Sequence, residues 1–437
     1  MKNKAANKFF IKSLGCKTNQ IEGQIITEEL VNFGFEPVLS QNLCDFFILN
    51  TCSVTSHADN QALYLIKQFR AKNKKAKVVL TGCFAQTAKG LDKIDADIIL
   101  GNDEKLEIAK YLKSFLENED GNGCADTQKN IYVQDIFSVE KFHGKNLKNL
   151  KTTRPSIKIQ EGCSNRCSYC IIPYARGNSR SDTMENIISE INFLADKGYK
   201  EVVLVGIHIG EWGREFNKAL LDLLKEIEKT RISRYRLGSL YVTELDDDMI
   251  EFLKDSKKFC PHFHLSLQSL CNKTLKGMNR FYTKEYALNV IEKLHKNFNL
   301  PFLGCDIITG FPGESEEDFL ETFNALKEAK LSFIHSFPYS KREGTKAAVM
   351  ENQVYEHIKK ERTKKLIELS SKLHGEFLEK NKAAGLCGEL AEVLFQKKGK
   401  NGKYTGLTRN YIKVYKESSE NLWNTVQNLN LAECEIE

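Results

Sequence analysis

The sequence predicts an α/β multidomain protein. It divides into an N-terminal open parallel α/β sheet (residues 1–140), a central partial (βα)6 barrel (141–374) and a small C-terminal β-barrel (375–437). Three observations predict this. Over the first ~110 residues, short apolar runs alternate with stretches of helical period, the pattern of a parallel sheet with helices on its faces. From Ser156 six further strand–helix units follow, fewer than the eight of a closed (βα) barrel. Over the last ~55 residues the helical period is lost and short alternating runs replace it.

In chain order, "KFFIKSL" reads as a strand, and "QIEGQIITEELVNFG" as a helix that stops at Gly34. "DFFILN", "AKVVLTG" and "DADIILG" are the next strands, with the helix "HADNQALYLIKQFRAKN" after the first of them. From about Glu117 to Pro155 the chain turns polar and rich in Gly, Asn and Lys, a linker holding one short strand, "IYVQDIFS". The barrel strands are "SIKIQ", "EVVLVGI", "RYRLGSL", "HFHLSL", "PFLGCDIIT" and "LSFIHSFP". Helical patterns such as "TMENIISEINFLADKG" and "KEYALNVIEKLHKN" separate them. A long charged helix, about Val354 to Lys382, leads to the C-terminal strands "GELAEVLFQ", "KYTGLTRN" and "YIKVYKE".

Composition narrows the class. The 437 residues are 41% hydrophobic and 28% charged, which suits a globular chain. No apolar run approaches the ~18–20 residues of a membrane helix. The apolar part of the basic N-terminus is only "FFI", too short for the ~7–15-residue core of a signal peptide. The expectation is a cytoplasmic protein with reduced thiols and no membrane. Thirteen cysteines then point to metal or redox use rather than disulfides. The net charge of +6 permits a nucleic-acid partner.

Two groups of cysteines stand out. "EGCSNRCSYC" puts Cys163, Cys167 and Cys170 just after the first barrel strand, at the end where barrel enzymes carry their chemistry. Three thiolates can hold a four-iron cluster and leave one iron open to the amino and carboxylate groups of S-adenosylmethionine (SAM). The alternative is a zinc site completed by a distant Cys or His, such as His208. In the first domain "LGCKTNQ", "NTCSVTSHAD" and "TGCFAQ" place Cys16, Cys52 and Cys83 each just past a strand. Parallel strands lie ~4.8 Å apart, so the three thiols can converge at one sheet edge. The alternative is three separate buried cysteines.

The C-x3-C-x2-C spacing with Tyr169 before the last Cys resembles the radical-SAM signature. With the second trio and the three-part organisation, nearly the whole chain resembles the radical-SAM methylthiotransferases. The resemblance implies two [4Fe–4S] clusters, one on Cys163, Cys167 and Cys170, and an auxiliary, sulfur-delivering one on Cys16, Cys52 and Cys83. It implies SAM as methyl donor and radical source, and a C-terminal TRAM domain. "GCKTNQIE", "EVVLVGIHIGEWG" and "FPYSKREGTKA" resemble the branch that acts on N6-threonylcarbamoyladenosine in tRNA. The other branches act on isopentenyl-adenosine tRNA or a ribosomal protein. "RLGSLYVTEL" departs from the Ser-Ser and acidic-Pro pattern of the resemblance, so that loop takes no role from it. The implied partners are tRNA, a low-potential electron donor such as a flavodoxin or ferredoxin, and a sulfur donor.

Tyr169, Gly206, Ser266, Gln268, Gly310 and Gly313 are candidates for contact with SAM; "GFPGES" also reads as a turn with Ser315 as helix cap. Arg176 and Arg180, beside the cysteine motif, either meet an anionic substrate or are solvated loop charges. Lys397 to Lys416 holds seven basic residues and no acidic one, with tyrosines interleaved. Lys397, Lys398, Lys400, Lys403, Tyr404, Arg409 and Tyr411 are therefore candidates for RNA contact, against the alternative of a solvated basic hairpin. The other seven cysteines read as structural. A non-catalytic zinc and RNA-binding protein is the alternative from a different class.

Overall fold

The computed structural model describes residues 7–120, 130–144, 152–399 and 402–437. Cys124 and Lys400 lie outside the described residues. The first domain builds strands β1 (Lys8–Ser13), β2 (Glu36–Pro37), β3 (Phe46–Thr51), β4 (Lys77–Gly82), β5 (Ile98–Leu100) and β6 (Asn130–Tyr132) into one parallel sheet, ordered β2-β1-β3-β4-β5-β6. Helices α1 (Lys17–Asn32) and α4 (Ile108–Asp120) cover one face, and α2 (Ser56–Lys72) and the short α3 (Cys83–Thr87) the other. β3 is buried along its whole length, as a central strand covered on both faces must be. The segment read as a linker strand pairs with β5 and becomes the edge of this sheet.

The central domain contains β7 (Ser156–Lys158), the small hairpin pair β8 (Gln160–Glu161) and β9 (Arg180–Ser181), β10 (Glu201–Val205), β11 (Arg234–Leu237), β12 (Ser239–Leu240), β13 (His262–Gln268), β14 (Phe302–Thr309) and β15 (Phe333–Pro338). The helices are α5 (Ile172–Arg176), α6 (Met184–Asp196), α7 (Leu220–Glu228), α8 (Asp247–Asp255), α9 (Asn272–Gly277), α10 (Lys284–Asn297) and α11 (Glu316–Glu328). β7, β10 and β11 pair in parallel, as do β12, β13, β14 and β15. The strand read as "RYRLGSL" is broken at Gly238. Its first half pairs with β10 and its second with β13, so six strand positions curve into a partial barrel. Phe263, Leu265 and Leu267 of β13 face the helix layer, which leaves His264, Ser266 and Gln268 on the lumen side.

Helix α12 (Glu356–Leu386) is one continuous helix, so it runs through the domain boundary expected at 374/375. Leu366, Leu369 and Leu373 join the barrel core and Phe377 the C-terminal core. The C-terminal unit is an antiparallel sheet of β16 (Ala391–Lys398), β17 (Tyr404–Thr408), β18 (Lys413–Lys416), β19 (Val426–Leu429) and β20 (Glu435–Ile436), ordered β19-β16-β17-β18-β20. Among the described residues no helix is long and apolar enough to cross a membrane.

Candidate active site at the domain junction

β1, β3 and β4 are neighbours in register, with Ser13 beside Asn50 and Thr51 beside Gly82. Cys16, Cys52 and Cys83 follow these three strand ends, so the structure brings the first trio to one edge of the sheet. Two glycines permit the approach. Gly15 (φ +85°) leaves no room for a side chain, since a Cβ there would lie 2.5 Å from Cys52 Cβ. Gly82 (φ +95°) packs against the backbone of Thr51. Asn19 ties the loops together: its Nδ2 donates to Leu14 O and Thr51 O, both at 2.8 Å. Cys52 and Cys83 are buried and Cys16 is exposed. Burial pushes the Cys52 thiol up to about 11, and its neighbours Cys83 and Cys16 push the same way.

In the barrel, Cys163 and Cys167 are buried and Cys170 is half-buried. The loop is pinned by backbone bonds, Cys163 N to Gly177 O at 3.1 Å and Ser168 N to Met278 O at 3.0 Å. Burial raises the Cys170 thiol to about 12, and Cys167 and Cys163 add to the shift. Three sulfurs on one loop or on neighbouring loops, buried or half-buried except for the exposed Cys16, form at each site a donor set that fits a four-iron cluster with one iron left open.

His208 does meet Cys163, with Nδ1 3.7 Å from Sγ and Glu211 close by. Burial pulls its pKa down, but hydrogen bonds to Cys163, Glu211 and Glu244 outweigh this and hold it up at about 11. Its Nδ1 faces the Cys163 sulfur and Glu211 and its Nε2 faces Glu244, so both ring nitrogens are engaged by neighbouring side chains. Arg280 is a donor to the second cysteine, with Nη1 3.7 Å from Cys167 Sγ. Its guanidinium lies 3.8 Å from the Tyr241 ring centroid, and the Tyr241 hydroxyl is 3.9 Å from the same sulfur. Tyr241 belongs to the loop for which the sequence suggested no role.

One residue joins the two sites. Arg176, six positions after Cys170, is 1% exposed. Its Nε donates to Cys83 Sγ at 3.3 Å, its Nη2 to Asn19 Oδ1 at 2.5 Å and Glu22 Oε2 at 3.0 Å, and its Nη1 to Glu161 Oε1 at 2.8 Å. Lys105 and Lys158 also bind Glu22, at 2.7 and 2.9 Å. Burial would raise the Glu22 carboxyl, but Arg176, Lys105 and Lys158 hold it well below the usual carboxylate range. Arg176 is therefore neither a substrate contact nor a solvated charge. Arg180 is buried too, donating to Arg176 O and Asn178 O at 3.0 Å. The sequence signal was available only in part: Asn19 and Glu22 lie near one another on α1, but nothing local says what they face.

The remaining candidates separate. Ser266 and Gln268 lie at the lumen end of β13, Gln268 with φ +64°. Tyr169 packs beside Phe311 and Tyr339. Gly206 follows β10, and its carbonyl oxygen lies 3.5 Å from Thr18 Oγ1 of the first domain. Gly310 is packed against Lys359, whereas Gly313 (φ +81°) faces open space. Ser315 caps α11, accepting from Asp318 N at 3.2 Å. In the C-terminal sheet Lys397 and Lys398 are exposed and Lys403 pairs with Glu435. Three of the expected RNA contacts are engaged internally. Tyr404 is in the core, Tyr411 packs at a tilt against His262 with ring centroids 4.1 Å apart, and Arg409 donates to Lys257 O and Phe259 O at 2.7 Å.

A partial barrel with three cysteines after its first strand defines a radical-SAM-type enzyme, and the radical SAM superfamily matches residues 157–326. The description "Uncharacterized protein family UPF0004" matches residues 8–101. "Threonylcarbamoyladenosine tRNA methylthiotransferase MtaB" of Aquifex aeolicus is 37% identical, over 94% of this chain and 97% of that one. The Bacillus subtilis protein of the same name is 36% identical over 94% and 90%. "tRNA-2-methylthio-N(6)-dimethylallyladenosine synthase" of Thermoanaerobacter sp. is 33% identical over 99% and 92%. The chain belongs to the radical-SAM methylthiotransferase family. Its cofactors are SAM and two [4Fe–4S] clusters. Among solved structures, the radical SAM methyltransferase TsrM of Kitasatospora setae shares the fold, with TM-score 0.58 and 13% identity over 79% of this chain and 77% of that one.

Proposed function

We propose that the protein methylthiolates C2 of N6-threonylcarbamoyladenosine beside the anticodon of tRNA. The observation that carries this is the placing of two thiol trios from separate domains at one junction, where Arg176, six positions after Cys170, donates to Cys83. The most similar relatives named above carry the threonylcarbamoyl activity in their names, at higher identity than the dimethylallyl one.

Cys163, Cys167 and Cys170 hold one cluster, and Cys16, Cys52 and Cys83 the other. When bound, the clusters and SAM supply a carbon radical, sulfur and a methyl group. The chain supplies orientation and shielding. Arg280 and His208 donate hydrogen bonds to the barrel thiolates and Arg176 to Cys83, a lever on reduction potential. Arg176, Glu22 and Glu161 lock the domains so that the two sites stay facing. Tyr169, Gly206, Ser266, Gln268 and Gly313 border the space for SAM. The C-terminal sheet acts as a TRAM-like RNA-binding unit through Lys397 and Lys398. The protein works in the cytoplasm with a flavodoxin- or ferredoxin-like electron donor and a sulfur donor.

Nucleoside mass spectrometry of tRNA from cells lacking the protein tests the substrate. Loss of 2-methylthio-N6-threonylcarbamoyladenosine is expected; loss of the isopentenyl product instead would move the protein to the other tRNA branch.

A further inference from the structure

A cleft of about 760 Å3 lies between α2, the segment after α3 and the loop after β15. Its walls thus come from both domains. No cluster cysteine lines it, but Phe84 and Ile171 do, the residues that follow Cys83 and Cys170. It flanks both metal sites.

Six cations and three carboxylates line the cleft. Three of the cations are paired: Arg342 with Asp59 at 2.5 Å, Arg70 with Asp95 at 3.3 Å, and Lys89 with Glu343 at 2.6 Å. Arg342 also donates to Ser53, beside Cys52, at 2.8 Å. Lys67, Lys93 and Lys341 are exposed and have no ion-pair partner among the described residues. A surplus of three positive charges on a convex face would simply be solvated. Inside a cleft with low-dielectric walls the field is focused, and the site selects anions.

We propose that this cleft is an anion subsite for the RNA substrate, with Lys67, Lys93 and Lys341 as its counter-charges. The proposal rests on the tRNA reading above and adds where the RNA's charge is met. Two anionic groups share this chemistry, the backbone phosphates beside the reacting nucleotide and the carboxylate of the threonylcarbamoyl substituent.

The test uses the full-length, iron-loaded protein and its Lys67→Gln/Lys93→Gln/Lys341→Gln variant. Two anticodon stem-loop RNAs serve as probes, one with plain adenosine and one with N6-threonylcarbamoyladenosine. Affinity is measured from about 50 to 200 mM salt, the range over which phosphate contacts are lost steeply. The variant should bind on the order of tenfold more weakly, with a salt slope shallower by about two, as the loss of three lysine contacts requires. Equal iron content and thermal unfolding in variant and wild type establish that the fold is kept. A loss on both RNAs identifies phosphates as the anions, and a loss on the modified RNA alone identifies the carboxylate. Unchanged affinity and slope on both RNAs would overturn the subsite. A wild-type protein that bound neither RNA would instead overturn the tRNA reading on which the subsite rests.

Discussion

Arg176 makes hydrogen bonds to Cys83, Asn19, Glu22 and Glu161 and is almost fully buried. Removing one member of a buried ion network leaves the others uncompensated, at a cost of about 3–5 kcal/mol. Arg176→Met should therefore loosen the domain junction by that amount in chemical denaturation. Arg176→Lys should restore only part of it, because an ammonium cannot fork between carboxylates. Asp306 gives a pH prediction. It bridges His264 at 3.0 Å and His335 at 3.4 Å across β13–β15. Burial would raise its pKa, but the two histidines hold it down at about 2. The folded value lies below the unfolded ~3.9, so its stabilisation is complete above about pH 4 and is lost as pH falls toward 2. The amount is about 2 kcal/mol. Asp306→Asn should abolish this part of the acid dependence, read as unfolding free energy against pH. Neither residue's partners were legible in the sequence. Glu22 lies 154 positions from Arg176, and only the docked fold sets them together.

At the scale of the element the sequence was far more informative. The strands before Cys52 and Cys83 are short apolar runs, so strand end and thiol were visible together in "DFFILNTC" and "AKVVLTGC". The cap of α11 was equally local, and the structure completes it as a reciprocal capping box between Ser315 and Asp318. Ser315→Ala should cost about 1 kcal/mol, measured by denaturation, without altering iron content. The C-terminal tyrosines show where local reading fails. Their interleaving with lysines suggested a stacking face, yet Tyr404 lies on the inward side of β17, where alternation sends it into the core. Composition counted the tyrosines, but only the pairing of β17 with β16 and β18 shows which side each one faces. The long helix α12 was legible, read from about Val354 to Lys382 and found at Glu356–Leu386. Gly375 does not interrupt it, and Leu373 and Phe377 are buried on either side.

At the scale of the whole molecule, the two trios must be separable in function although they are joined in space. Ile21 and Ile25 of α1 pack on Val203 and Val205 of β10, and Arg176 crosses the same junction, so the first domain packs directly on the barrel. On the assignment proposed above, the barrel trio holds the cluster that serves SAM. Cys167→Ala should therefore abolish 5′-deoxyadenosine formation under anaerobic conditions with dithionite, SAM and tRNA. Cys52 lies in the other domain, after β3, so Cys52→Ala should still cleave SAM while making no methylthiolated nucleoside. Iron analysis should show each variant, and the corresponding triple variants more fully, losing about half of the eight irons that two four-iron clusters require. The shared network adds one further expectation. Because Arg176 bonds to Cys83 Sγ from the barrel side, loss of the first trio's cluster should also lower the stability of the junction, whereas Ser315→Ala, remote from it, should not. A Cys52→Ala protein that still produced the methylthio product would mean that sulfur is delivered elsewhere, and the edge formed by β1, β3 and β4 would then be a structural site only.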